Sequence, residues 1–260
     1  MCVKAIRIMI MRFWAAVLLG LAGWGNIDAY ARSVVGVVHY PLAFMAERLG
    51  GGQVDVFYPV PPEVDPTYWR PGLQDISRFQ QADVIALNGA GFAKWTARTT
   101  LPRSRIVNTS KSFEDRYIVT KTVTHSHGDG GTHAHDAVAS YTWLDFALAA
   151  KQAEALAKKM GQRISSLKPE IENNAKALKR DLLQLNEKAL SLTSLFPAEH
   201  RMIATHPRYQ YFARAYSLNI SSVSWDPGAM PNEEQWSEIK KIAAQTGAKI
   251  MLWEAQPPAE

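Results

Sequence analysis

One stretch limits the fold of this chain more than any other. Leu167, Ile171, Ala175, Leu178, Leu182, Leu185 and Ala189 recur at steps of four and three, the period of a single helical face. The pattern begins near Pro169, a residue suited to a first helical turn, and stops before Pro197. No glycine or proline interrupts it between Glu170 and Phe196. At 1.5 Å rise per residue it predicts a rod of roughly 38 Å, the length of a small domain. Such a rod lies along one domain or ties two together.

What flanks the rod decides between these. Upstream, residues 33–40 form a continuous β-branched run, suited to a strand buried on both faces. Pro41 then opens a helix that stops at Gly50-Gly51-Gly52. Further strands are expected over 54–60, 83–87 and 105–108, with a short helix over 73–81. Residues 142–160 are Ala- and Lys-rich and read as helix. Downstream, strands over 201–205, 218–223 and 248–253 surround a helix over 233–245. Strands alternating with short helices indicate parallel βαβ units. The expected fold is therefore α/β: two small parallel-sheet lobes bridged by one long rigid helix, with a cleft between them. The divisions are an N-terminal lobe over 32–145, helices including the linker over 146–196, and a C-terminal lobe over 197–260, read as short of a final strand. Ligands in open α/β sheets sit at the carboxyl ends of strands. Those ends carry His39, the loop 60–72, Asn88, His206, Trp225-Asp226 and Glu254.

The first residues read as an export signal. Lys4, Arg7 and Arg12 precede an apolar run over 13–24, which is too short to span a bilayer. Ala29-Tyr30-Ala31 closes it as a small-x-small cleavage site. A signal peptide over 1–31, cleaved after Ala31, places the mature protein in a bacterial periplasm. The single cysteine, Cys2, precedes the apolar run, so none follows it to carry a lipid. The mature chain thus offers no disulfide, no thiolate nucleophile and no cysteine-based metal site. The net charge is +5 for the full chain and +3 without the leader. With no basic run or basic–aromatic stripe left, a nucleic-acid partner is not expected. Neither a G-x-S-x-G, an H-E-x-x-H nor a phosphate-binding glycine loop occurs, so an enzyme is not expected either.

The chemistry-bearing residues point to metal. His125, His127, His133 and His135 stand in a Gly-rich loop over 121–140 as two H-x-H pairs. Neutral imidazole is a common ligand for zinc, copper and nickel. His206 ends a strand before Pro207, and Glu254 ends the last one. Asp65 and Asp226 stand before prolines, in turns first and as ligand candidates second. Trp69, Trp225 and Trp253 near these loops leave open a pocket for a small organic or metal–chelate ligand.

In order and spacing these residues resemble the zinc/manganese-type substrate-binding proteins of bacterial ABC importers, over 33–256. The anchors are H-Y-P-L (39–42), V-P-P-E-V-D-P (60–66), A-D-V-I-A-L-N-G (82–89), the His-rich loop, W-L-D (143–145), the long helix and T-H-P-R-Y-Q-Y-F-A-R-A-Y (205–216). The resemblance implies two lobes bridged by a rigid helix, a metal held between them, and a membrane permease as partner of a monomer. It places Thr67 and Tyr141 where the family has its first two histidine ligands, and His206 at the third. The fourth, an acid, comes beyond the segment matching 253–258. The resemblance implies zinc or another divalent transition metal, with His206 as cleft ligand. Glu254 and a Tyr141 phenolate would complete the shell, Thr67 and His39 would line the pocket, and the loop histidines would capture the ion. A metal buffer without a transporter remains the other reading.

Overall fold

The β-branched run at the start of the mature chain becomes β1 (Ser33–Val37), with Val35 and Val37 fully buried. It stops short of residue 40 because His39 turns the chain, and its side chain caps α1 (Tyr40–Gly50). Gly51 ends that helix in the left-handed conformation, φ 57°, and its amide binds the Glu47 carbonyl. β2 (Val54–Phe57) is shorter than its apolar run because Pro59, Pro61 and Pro62 cannot donate to a ladder. α2 (Leu73–Gln81), β3 (Val84–Leu87) and β4 (Ile106–Asn108) follow. The four strands form one parallel sheet in the order β2-β1-β3-β4. The winding direction reverses between β1 and β3, so a crevice opens at their carboxyl ends.

The computed structural model describes residues 32–120, 137–197, 200–225 and 230–254. The leader, the histidines of the Gly-rich loop and Asp226 lie outside them. The end of the expected loop is not irregular. Ala137–Val138 (β6) pairs antiparallel with Val119–Thr120 (β5), and residues 142–144 form a single 3-10 turn. The helix expected from 142 begins only at Phe146, where Asp145 caps α3 (Phe146–Arg163) by accepting from the Leu148 amide.

α4 (Lys168–Thr193) is the predicted rod, 26 residues in one piece. Its first half belongs to the N-terminal lobe. Ile171 and Leu178 are buried in the same core as Leu42, Leu49, Phe79, Ile85, Leu156 and Met160. Its second half runs beyond that core. Of the apolar stripe there, Ala189 is buried but Leu185 is 43% exposed, and Leu190 and Leu192 lie open beside it.

The C-terminal lobe repeats the design in miniature. β7 (Arg201–Ala204), α5 (Gln210–Ala215), β8 (Asn219–Ser222), α6 (Glu233–Thr246) and β9 (Ile250–Leu252) give a parallel sheet ordered β8-β7-β9. Its direction also reverses, between β7 and β9. Its core is Ile203, Val223, Trp225 and Ile239, with Trp236 and Trp253 packed on it.

The lobes are fastened through α5, an element absent from the sequence expectations. Tyr211 is fully buried in a cluster with Phe113, Ala139 and Leu148 of the N-terminal lobe, and its hydroxyl accepts from the Ile118 amide at 3.3 Å. Arg214 donates to the Arg116 carbonyl at 2.8 Å. The Tyr216 hydroxyl accepts from the Phe146 amide at 3.2 Å and donates to Asn186 of α4 at 3.1 Å. A helix without an internal kink-former resists hinge bending, and these contacts resist it again. The radius of gyration from small-angle scattering is therefore expected to stay unchanged when metal is added. A decrease of several per cent would reveal domain closure and contradict this expectation.

Candidate functional site

Side chains from the strand ends of both lobes meet, as the contact of Arg208 with Asp65 shows. After β2 the Pro-rich loop folds on Asp65. Its carbonyl accepts from the amides of Tyr68 and Trp69, and its carboxylate Oδ1 accepts from the Thr67 amide at 2.8 Å. This is the Asx turn expected from D-P-T. It holds Thr67 in place and leaves Oδ2 pointing elsewhere.

Tyr141 is positioned from below by a polar network. Asn88, fully buried at the end of β3, donates to the carbonyls of Gly89 and Ser140. Its Oδ1 accepts from Thr142 Oγ1 at 3.1 Å and Gln152 Nε2 at 2.9 Å. The residues on both sides of Tyr141 are thereby bound to Asn88. The Tyr141 hydroxyl lies 2.9 Å from Thr67 Oγ1, so the two positions that the family resemblance singled out do meet. Burial pushes the Tyr141 hydroxyl up to about 12, with the Thr67 hydrogen bond and Arg208 pulling partly the other way. Without a divalent cation beside it the hydroxyl is therefore a phenol, and a phenolate ligand would have to lose that proton to an arriving ion.

His206 follows β7, and its Nδ1 lies 3.1 Å from the Trp225 carbonyl oxygen. A carbonyl can only accept, so Nδ1 carries a proton, and in the neutral ring Nε2 keeps its lone pair. That tautomer is the one a metal ligand needs. Glu254 follows β9, with its side chain 9% exposed. Burial raises its carboxyl above the usual range, while Arg208 and His206 draw it down.

Between these groups stands a residue that sequence reasoning passed over. Arg208 Nη2 binds Asp65 Oδ2 at 2.6 Å, and Nη1 lies 3.0 Å from Glu254 Oε2. Its Cζ sits 5.1 Å from the centre of the Tyr141 ring, a cation–π distance. The signal was present in T-H-P-R, a cation two residues beyond a strand-end histidine. Nothing in the sequence, however, says that two carboxylates from distant segments converge on it. Among the described residues no three His, Cys, Asp or Glu side chains form a group able to hold an ion as they stand.

Other expectations need correction. His39 does not line the cleft. It is 1% exposed, accepts from the Leu42 amide through Nδ1 at 3.2 Å, and meets Asn88 Oδ1 through Nε2 at 3.2 Å. Packed against Trp143 and Phe92, it is a helix cap. Burial lowers its pKa to about 3. The unfolded chain takes up this proton near pH 6.5 and the folded one only near 3, so stability is full above pH 6.5 and falls as pH drops toward 3. By linkage the loss from this residue alone is roughly 2–3 kcal/mol at pH 4.5. Thermal melts between pH 7 and 4.5 are expected to slope less in His39→Asn, whose side chain can still cap the helix but does not titrate.

The tryptophans do not form one aromatic cleft. Trp225, 4% exposed, stacks edge-on with Trp236 and Trp253 inside the C-terminal lobe. Trp69 packs instead on Trp95, their centres 6.0 Å apart, and lines a cavity of about 430 Å³ with Arg70, Lys94 and Arg98. Indole rings this large are drawn into whichever core their own lobe offers. The organic-ligand reading rested on their convergence and loses that support.

Two parallel α/β lobes joined by a continuous helix, with donors from both lobes meeting at the strand ends, define a cleft-type binding protein. The chain belongs to the family described as ZnuA, the zinc-uptake complex component A, periplasmic, whose model matches residues 35–260. It is a family of uptake-complex components rather than of enzymes. Among curated relatives, the metal ABC transporter substrate-binding lipoprotein ScbA of Streptococcus cristatus is 25% identical over 194 residues. That match takes in 71% of this chain but 59% of ScbA, so this chain spans under two thirds of that relative's length. The manganese ABC transporter substrate-binding lipoprotein PsaA of Streptococcus anginosus is 24% identical over 234 residues, covering 86% of this chain and 72% of PsaA. Among solved structures, the metal-dependent lipoprotein YcdH of Bacillus subtilis superposes with a TM-score of 0.70 at 20% identity, over 88% of this chain and 81% of that one. This likeness confirms the two-lobed α/β fold.

Proposed function

We propose that this protein captures a divalent transition metal, zinc foremost, and hands it to the membrane permease of an ABC importer. The observation that carries the reading is the convergence of Thr67, Tyr141, Glu254 and the cation bound to Glu254 from four separate segments. His206 lies near enough to Glu254 to draw its carboxyl down, and it turns Nδ1, not Nε2, to the Trp225 carbonyl. Family membership supports an uptake component, and imidazole with carboxylate donors suits zinc and manganese alike. The relatives' names include both unspecified metal and manganese, so zinc rests on the imidazole and on the family description. His125, His127, His133 and His135 would collect the ion at lower affinity, because a Gly-rich loop loses backbone entropy on ordering.

Export supports the same reading. The leader over 1–31 ends in a small-x-small site, and Cys2 lies ahead of the apolar run rather than after it. We therefore place the mature protein in the periplasm, released by cleavage. Among the described residues no helix is long and apolar enough to cross a membrane.

Calorimetric titration of residues 32–260 with Zn²⁺ and with Mn²⁺, before and after deletion of residues 124–136, tests the function. One tight site that survives the deletion is expected, together with weaker sites that do not. Absence of any site in the deleted protein would refute cleft capture. A permease and an ATPase encoded beside this gene would tie the protein to import, and their absence would favour a metal buffer.

A further inference from the structure

We propose that Arg208 is a built-in counter-ion in the cleft, and that an arriving divalent cation takes Asp65 and Glu254 from it. The proposal rests on the metal-capture reading above and adds a ligand, Asp65, and a mode of loading. Asp65 belongs to the N-terminal lobe; Arg208 and Glu254 belong to the C-terminal one. One guanidinium spans both carboxylates, at 2.6 Å and 3.0 Å, in a site where the three side chains are 18%, 19% and 9% exposed.

The pairing is not that of a finished structural ion pair. Such a pair is commonly bidentate, with every remaining proton and lone pair satisfied. Here each carboxylate meets the fork through one oxygen only. Arg208 Nε and both carboxylate oxygens of Glu254 are buried without a hydrogen bond, so the 3.0 Å approach of Nη1 to Oε2 is a charge contact only. Glu254 thus keeps lone pairs that the arginine does not use, and Asp65 Oδ1 is held by the Thr67 amide alone.

Charge then dictates the order of events. A guanidinium does not lose its proton in a protein, so it and a divalent cation cannot share the same two carboxylates. While Arg208 lies between them, no three-donor group exists among the described residues. Once it leaves, His206, Glu254 and Asp65 supply one imidazole and two carboxylates. Three protein ligands make a workable zinc site, and their charge neutralises a divalent ion. Asp65, two residues before Thr67, thereby compensates for the imidazole absent at that position. The ionic tie between the lobes passes from arginine to metal, so loading need not move the lobes themselves.

Apparent affinity falls in proportion to the fraction of molecules whose site is competent. If the cleft is open in about one molecule in ten, the arginine weakens binding about tenfold. The test is titration of residues 32–260 with Zn²⁺ and Mn²⁺ in the wild type, Arg208→Gln, Arg208→Lys and Asp65→Asn. The cleft site is recognised as the one that His206→Ala removes. Arg208→Gln is expected to tighten it by about tenfold or more. Arg208→Lys, whose ammonium is a point charge rather than a fork, is expected to fall between the two, and Asp65→Asn to weaken it. A merely structural arginine would give loss of binding, never gain. Unchanged or weaker binding in a folded Arg208→Gln would overturn the proposal and leave metal capture standing. Should that variant not fold, unchanged affinity in Arg208→Lys overturns it equally. No cleft binding in any of these proteins would overturn the capture reading, and this proposal with it.

Discussion

Replacing His206 by alanine is expected to weaken metal binding in the cleft by on the order of 100-fold or more, since losing even an outer-shell partner costs 10–100-fold. Removing any one of His125, His127, His133 or His135 is expected to do far less. The reason is geometric. His206 stands at the end of β7, and its ring is held in one tautomer by the Trp225 carbonyl at 3.1 Å. The hydroxyls of Thr67 and Tyr141 are occupied with each other at 2.9 Å, and burial pushes the Tyr141 hydroxyl up to about 12. Among the described residues no second imidazole stands with His206 to take over. The four loop histidines lie within eleven residues of one another and can substitute for one another. Zinc titration against a chromophoric chelator measures both. Equal losses at His206 and at a single loop histidine would move the principal site to the loop.

The second large effect concerns the fold. Tyr211→Ala is expected to destabilise the protein by about 3–5 kcal/mol, the cost of emptying a fully buried aromatic site. In a domain of this size that lowers the melting temperature by roughly 10 °C. Tyr211 comes from the C-terminal lobe but is fully buried among Phe113, Ala139 and Leu148. The cavity would therefore open at the lobe junction. Tyr211→Phe keeps the ring and leaves the Ile118 amide without its acceptor, at a cost of about 1–3 kcal/mol. Differential scanning calorimetry of both variants separates packing from hydrogen bonding. A melting temperature within a degree or two of the wild type for Tyr211→Ala would show that the lobes are held together without this residue.

The two variants also bear on function differently. His206→Ala removes a donor and leaves the lobe junction intact, so its stability is expected to match the wild type. Tyr211→Ala loosens the lobe junction made by α5, which begins two residues after Arg208, so it is expected to lower metal affinity indirectly, through the fraction of molecules in the competent arrangement.

Much of this protein is written locally. The helix of residues 168–193 follows from the four-and-three spacing of its apolar residues and a proline at its start, both visible without any partner. The parallel strands follow from short β-branched runs alternating with helices, and the turn at Asp65 follows from D-P-T, because an aspartate side chain can bind an amide two residues on. His206 and Glu254 could be named because strand ends are where α/β sheets bind ligands. Tertiary structure decided the rest. His39 carries the same strand-end signature as His206, yet Asn88, distant in sequence, draws it inward and makes it a cap. Trp225 and Trp69 read as one aromatic cleft until each lobe buries its own. Arg208 reads as one basic residue in an aromatic run until Asp65 and Glu254 close on it from segments 143 residues before and 46 residues after it. Local chemistry is set by neighbours along the chain, and periodicity records it. Which charges meet across a cleft depends on how two sheets pack, and no spacing within either segment encodes that distance.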